Sequence, residues 1–198
     1  MPLESTMTFG VLVLVVGPSG AGKDALLAAA REACASNSRF RFVRRVITRP
    51  ADAGGEAHEA VTEAAFAARD FALSWRAHGL AYGIPADIAT DLAAGRVVVA
   101  NVSRAVIAEA ARRFPVRVIA VTAPPEVLAA RLAARGREDA AEAARRLARA
   151  VALPERVAIE TVANDATLAE GVARFLAALS RAAGDARPEG TAPPPPPG

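Results

Sequence analysis

The chain has 198 residues, 53% of them hydrophobic and 23% charged, with a net charge of +3 and a pI near 9.9. That size suits one well-buried core rather than two ordinary domains, and the alanine-rich apolar share holds no run long enough to cross a bilayer. A lone Cys34 excludes an internal disulfide and a cysteine metal cluster, and the scattered arginines, without interleaved aromatics, point to a phosphate-bearing small molecule rather than nucleic acid.

Residues 1–8 are expected to form a flexible arm. The apolar run to Val16 predicts a first strand over 9–16, and the alanine-rich stretch after it a helix over 23–34. Residues 40–47 alternate Phe40, Phe42 and Val46 with Arg41 and Arg45, the pattern of a strand with one wet face. A loop runs from Thr48 to His58 and carries Arg49, Glu56 and His58. Thr62 caps a short helix over 62–66, residues 71–75 form a short strand, and 78–85 an aromatic turn. From Pro85 the rhythm is regular, with helices over 85–94, 103–114, 125–135, 138–151 and 167–182. Strands over 97–101, 116–121 and 157–162 separate them. Such alternation predicts an α/β three-layer sandwich with a mostly parallel sheet. Its one domain spans 9–183, and the proline-rich residues 184–198 form a disordered tail. No secretory leader pattern opens the chain, and the expected location is cytoplasmic, without membrane contact.

The stretch that carries the chemistry is Gly17-Pro18-Ser19-Gly20-Ala21-Gly22-Lys23-Asp24, set between the first strand and the first helix. Glycines let backbone N–H groups close on an anion, and the helix N-terminus adds unpaired donors. Lys23 supplies a point charge for the outer phosphates of a nucleoside triphosphate, and it is the only lysine in the chain. In a phosphate loop the next residue is usually a Ser or Thr that ligates magnesium; here it is Asp24. A carboxylate is a hard-oxygen ligand for Mg2+, and equally a favourable acid in a first helical turn; both readings stand.

Arg131 and Arg135 lie four apart on one helix face, with Arg137 just past Gly136 and Arg145 and Arg146 on the next helix. Alone, such a run reads as a solvated basic face paired with Glu138, Asp139 and Glu142. Beside a phosphate loop it resembles a kinase lid, whose closure brings guanidinium groups onto a transferring phosphoryl.

The phosphate loop, Thr48-Arg49-Pro50, Trp75 with His78 and Tyr82-Gly83, and the Arg131–Glu138 stretch resemble the guanylate kinase framework from about residue 9 to 182. Gly-Pro-Ser-Gly-x-Gly-Lys-Asp, Ile47-Thr48-Arg49, Leu73-Ser74-Trp75 and Asn101-Val102-Ser103-Arg104 are more similar to the ribose 1,5-bisphosphate phosphokinases. These make 5-phosphoribosyl 1-diphosphate during phosphonate breakdown. The resemblance implies ATP and Mg2+ as cofactors and the lid arginines Arg131, Arg135, Arg137 and Arg146 beside Lys23 in catalysis. It places Asn164 at the adenine side, where an Asx turn accounts for it equally, and Arg49, His58, Ser74, His78, Tyr82 and Asn101 around the acceptor. Against guanylate kinases, Arg49 keeps one phosphate-binding arginine, Asp52 replaces the second and His58 a tyrosine. Ser74, Ile84 and Asn101 stand where guanine is read. Guanine N–H donors want carboxylate acceptors, so the departures favour a sugar phosphate. Guanylate or another nucleoside monophosphate kinase is the alternative, and a binding module without catalysis a third. A homodimer is one arrangement the expectation leaves open.

Overall fold

Apolar runs alternating with helix formers call for a sheet covered on both faces. The computed structural model, which describes residues 9–51, 57–134 and 157–184, contains one. In chain order the elements are β1 (Val11–Val16), α1 (Lys23–Ala33), β2 (Phe40–Phe42), β3 (Val46–Ile47), β4 (Glu59–Ala60), α2 (Glu63–Ala67), β5 (Phe71–Ala77) and β6 (Leu80–Pro85). There follow α3 (Ile88–Ala93), β7 (Val97–Asn101), one 3-10 turn (Arg104–Val106), α4 (Ile107–Arg113), β8 (Val116–Thr122), α5 (Pro125–Ala134), β9 (Ala158–Ala163) and α6 (Leu168–Gly184).

The main sheet has the order β2-β7-β1-β8-β9, and every pairing in it is parallel. β1 is its buried centre, and its side chains divide by the pleat. Leu12, Leu14 and Val16 pack with Val98, Ile88, Ile107 and Ile84 on one face. Val11, Val13 and Val15 pack on the other with Leu26 of α1, Leu128 of α5 and Phe175 and Leu179 of α6. α6 opens with a reciprocal cap that fixes its entry beside β9. Thr167 Oγ1 accepts from the Glu170 N–H at 3.3 Å, and Glu170 Oε2 accepts from the Thr167 N–H at 3.0 Å.

Two sequence expectations need correction. Residues 40–47 are not one strand: β2 joins the main sheet, and β3 enters a second sheet of order β4-β3-β6-β5. The link between them, Val43 to Arg45, carries the chain from one sheet to the other. Residues 78–85 are not a turn. Only His78 and Gly79 turn, with φ of 53° and 72°, and β6 follows in antiparallel register with β5. Two left-handed residues closing a two-residue hairpin match the twist of the flanking strands. The aromatic run hid an alternation whose outer face packs Ala81 with Val46 and Phe66 under α2. At the carboxyl end, α6 reaches Gly184, past the expected stop at 182. The expected arm, the tail beyond 184 and the helix over 138–151 lie outside the described residues.

Candidate functional site

The carboxyl ends of β1, β7, β8 and β9 converge, and the phosphate loop sits among them, where parallel α/β sheets bind ligands. The chain leaves Val16 and turns through Gly17, Pro18, Ser19, Gly20, Ala21 and Gly22 into α1. Gly17 has φ of 153° and Gly22, at the helix cap, 86°. A Cβ on Gly17 would lie 2.2 Å from the Val121 carbonyl oxygen, and one on Gly22 2.3 Å from Asn164 Nδ2. Both positions therefore need glycine for space as well as for dihedral angle. Lys23 Nζ donates to the carbonyls of Gly17 at 2.8 Å and Pro18 at 3.0 Å, which curls the ammonium back over the loop.

Asn164, one residue beyond β9, is buried beneath this loop. Its Nδ2 donates to the Ala21 carbonyl at 2.8 Å, and its own N–H donates to Thr122 at 2.8 Å. Its Oδ1 is buried without a hydrogen-bond partner among the described residues. The side chain thus braces the loop backbone from below instead of facing out as an adenine-side contact. From α5, Arg131 Nη1 reaches the Gly20 carbonyl at 3.4 Å, so one arginine of the expected lid touches the loop. Arg135, Arg137 and Arg146 lie outside the described residues.

Asp24 occupies the first turn of α1, and its Oδ1 accepts from Asn101 Nδ2 at 3.1 Å. Asn101 ends β7 opposite Val15 and is itself buried. The two line a cavity of about 210 Å3 with Arg31, Phe42 and Val43. No group of three or more His, Cys, Asp or Glu side chains suited to a metal occurs among the described residues. A lone carboxylate fits magnesium, whose remaining oxygens come from water and nucleotide phosphates.

The segments that flank β3 and β4 carry cations. Arg49 Nη2 lies 3.1 Å from His58 Nδ1, and His58 Nε2 lies 3.0 Å from the Arg49 carbonyl, so the two ends of the 48–58 loop are tied together. Arg44 donates to the His58 carbonyl at 2.7 Å. Trp75 and Tyr82 face each other across the β5–β6 register, with ring centroids 5.3 Å apart and planes 4° apart. The Arg45 guanidinium lies 5.3 Å from the Tyr82 centroid and 5.9 Å from that of Trp75. Burial first, and then the charge of Arg49, push the Arg45 pKa down to about 10, against an upward pull from Asp24 and Tyr82. Arg45 is the residue sequence reasoning missed, because its place in the alternation read as a solvated face.

Of the other expected acceptor residues, Ser74 is exposed, on the face of β5 opposite Leu73 and Trp75. His78 is exposed at the hairpin tip, roughly 10 Å along the strands from Trp75 and Tyr82 at ~3.4 Å per residue. Ile84 is wholly buried in the main core. The structure therefore gathers Arg49, His58, Tyr82, Asn101, Asp24 and Arg45, and leaves Ser74 and His78 outside that group.

A ribose 1,5-bisphosphate phosphokinase PhnN of Acidiphilium cryptum is 58% identical over 172 residues, covering 87% of this chain and 93% of the relative. The chain belongs to the ribose 1,5-bisphosphate phosphokinase family. A second such phosphokinase, from Methylobacterium radiotolerans, is 50% identical over 86% of this chain and 97% of its own length. A bifunctional ribose 1,5-bisphosphokinase-thymidine phosphorylase of Azorhizobium caulinodans is 50% identical over 88% of this chain, which spans 26% of that longer protein. No family model matches the chain. Among solved structures, a guanylate kinase from Anaplasma phagocytophilum superposes with a TM-score of 0.63 at 17% identity, over 88% of this chain and 86% of that one. A gluconokinase from Sinorhizobium meliloti reaches 0.52 at 22% identity, over 89% and 95%. At those identities the likeness places this phosphokinase family member in the P-loop kinase fold and says nothing of its acceptor.

Proposed function

We infer that the chain transfers the γ-phosphoryl group of ATP to the 1-phosphate of ribose 1,5-bisphosphate, giving 5-phosphoribosyl 1-diphosphate and ADP. An oxygen of the 1-phosphate bonds to the γ-phosphorus as the bond to the β–γ bridging oxygen breaks, and that oxygen leaves with ADP. The acceptor is ionised at neutral pH, so no protein base is needed. The reading gives Lys23 and Arg131 the charge on the transferring group and Arg49 with His58 a phosphate of the acceptor. Arg135, Arg137 and Arg146 join them on the strength of the resemblance alone. Magnesium would offset the negative charge of the ATP phosphates, and Asp24 is the residue that would hold it.

The observation that carries the reading is the pairing of a phosphate loop with an acceptor side built from cations. A guanine edge needs acceptors for its N–H groups, and leaving each unpaired costs about 1–3 kcal/mol. At the three positions concerned, Ser74 is turned outward, Ile84 is core and Asn101 is bonded to Asp24. The names of the relatives support the same acceptor. The test is ³¹P NMR of ATP and magnesium with ribose 1,5-bisphosphate, GMP and AMP in parallel. A diphosphate product from the sugar alone is expected; efficient GDP formation with the sugar left untouched would sink the reading.

A further inference from the structure

We propose that His58 is a positioning residue for the acceptor phosphate, acting through Arg49 as a neutral imidazole protonated on Nε2. The proposal rests on the reading of Arg49 as a ligand of that phosphate, and states how its guanidinium is aimed.

The placement begins with two parallel strands. The Glu59 N–H donates to the Arg45 carbonyl at 2.8 Å and the Val61 N–H to that of Ile47 at 3.1 Å, which fixes β4 against β3. His58 immediately precedes β4, and Arg44 donates to its carbonyl at 2.7 Å. Beyond β3 the chain bends at Thr48 and Arg49. The Thr48 N–H donates to the Ala81 carbonyl at 3.1 Å, and Thr48 Oγ1 accepts from the Ala81 N–H at 2.9 Å. The bend is thereby anchored on β6, and it turns Arg49 back onto the His58 ring.

Partner chemistry then fixes the tautomer. A carbonyl oxygen only accepts, so Nε2, 3.0 Å from the Arg49 carbonyl, carries the proton. A guanidinium only donates, so Nδ1, 3.1 Å from Arg49 Nη2, offers its lone pair. A doubly protonated ring would set an N–H and a positive charge against that guanidinium. The one N–H of the neutral ring is taken by a backbone carbonyl, and the residue is 4% exposed, so a phosphate oxygen meets Arg49 rather than the imidazole. Among the described residues, His58 is the side chain that orients this guanidinium, whose Nε is buried without a hydrogen-bond partner. An imidazole orients it without cancelling its charge, as a carboxylate there would.

The experiment has two arms. The chain has two histidines, so ring ¹⁵N NMR of the full chain, with His78→Asn to assign the signals, reads the His58 tautomer directly. The neutral, Nε2-protonated ring is expected both without and with ribose 1,5-bisphosphate. A proton on Nδ1 in either state overturns the proposal. The second arm is calorimetric titration of the parent, His58→Ala, His58→Asn, Arg49→Ala and the double variant His58→Ala with Arg49→Ala, each with ribose 1,5-bisphosphate and with ATP. His58→Ala should weaken the bisphosphate by about tenfold and ATP by less than about threefold. In the Arg49→Ala background the same change should cost less than about threefold, because its effect passes through the missing guanidinium. His58→Asn places an acceptor oxygen near the site of Nδ1 and should recover part of the loss. Additive losses, equal weakening of ATP, no loss at all, or no recovery in His58→Asn would each overturn the proposal. If His58→Ala does not fold, His58→Asn and the ring signals of the parent decide. Failure of the functional reading looks different: the unmodified chain then does not bind ribose 1,5-bisphosphate, while the tautomer of His58 still stands.

Discussion

Gly171, in the first turns of α6, is the position where helix propensity and site geometry make opposite predictions. Replacing a helical glycine by alanine ordinarily stabilises a helix by about 1 kcal/mol. Here the new Cβ would lie 2.4 Å from Asn164 Oδ1 and 3.2 Å from a methyl of Leu26. Asn164 has no room to retreat, because Gly22 closes on the other end of the same amide. Relief therefore requires the amide to rotate off Ala21, which strands a buried carbonyl at a cost of about 1–3 kcal/mol, with a further ~1–3 kcal/mol for overpacking. The strain outweighs the propensity gain. Gly171→Ala should be destabilised by about 1–5 kcal/mol in urea unfolding, and its affinity for ATP should fall on the order of tenfold as the loop loses its brace. In an Asn164→Ala background the oxygen is gone and the same substitution should become neutral or stabilising, a coupling of about 2 kcal/mol. A single variant as stable as the parent, with unchanged ATP affinity, would falsify the claim that Asn164 positions the phosphate loop.

Lys23→Ala should lower kcat at saturating ATP by at least roughly 10²-fold, with the far-UV circular dichroism and melting curve preserved; near-normal turnover would remove the lysine from the transition state. Arg49→Ala should raise the KM for ribose 1,5-bisphosphate by about tenfold or more while the KM for ATP moves little, and equal shifts in both would argue for a general structural role. Burial would raise the Asp91 carboxyl, yet bonds from Arg41 and then Arg96 hold it below the ordinary range. Its contribution is therefore present above the unfolded pKa of about 3.9 and lost as pH falls through the lower folded value. Urea midpoints between about pH 5 and pH 2 should show a shallower acid decline in Asp91→Asn, and parallel curves would refute this.

What could be read from the chain was whatever depended on local pattern. The six apolar residues before Gly17 are a central strand because a strand buried on both faces leaves no polar position, and the glycine spacing located the loop. Legibility ended where partners are distant in sequence. Nothing in residues 40–47 marks the change of sheet after Val43, because the alternation continues across it while β2 pairs with β7 and β3 with β6. That is why Arg45 read as wet, although the Trp75 and Tyr82 rings that cover it lie some thirty residues further on. The resemblance aligned Ser74 with a base reader, but the pleat turned it outward. Asn164 was marked for the right region and the wrong direction, since burial under the loop is a property of β9 and α6 together.

Lys23 holds its own loop while it waits. Two carbonyl oxygens share its ammonium, and a ligand must outbid them before the lysine turns toward it. A neutral carbonyl bond is worth about 0.5–1.5 kcal/mol net, whereas one to an ionised phosphate oxygen is worth about 1.5–3. Adenosine offers the ammonium nothing to leave for. Only a chain of phosphates long enough to reach the lysine gains by the exchange. With ATP as the proposed ligand, the loop would thereby measure the length of the phosphate tail, and a nucleotide already spent would have less to hold it in place than one that still carries its terminal group.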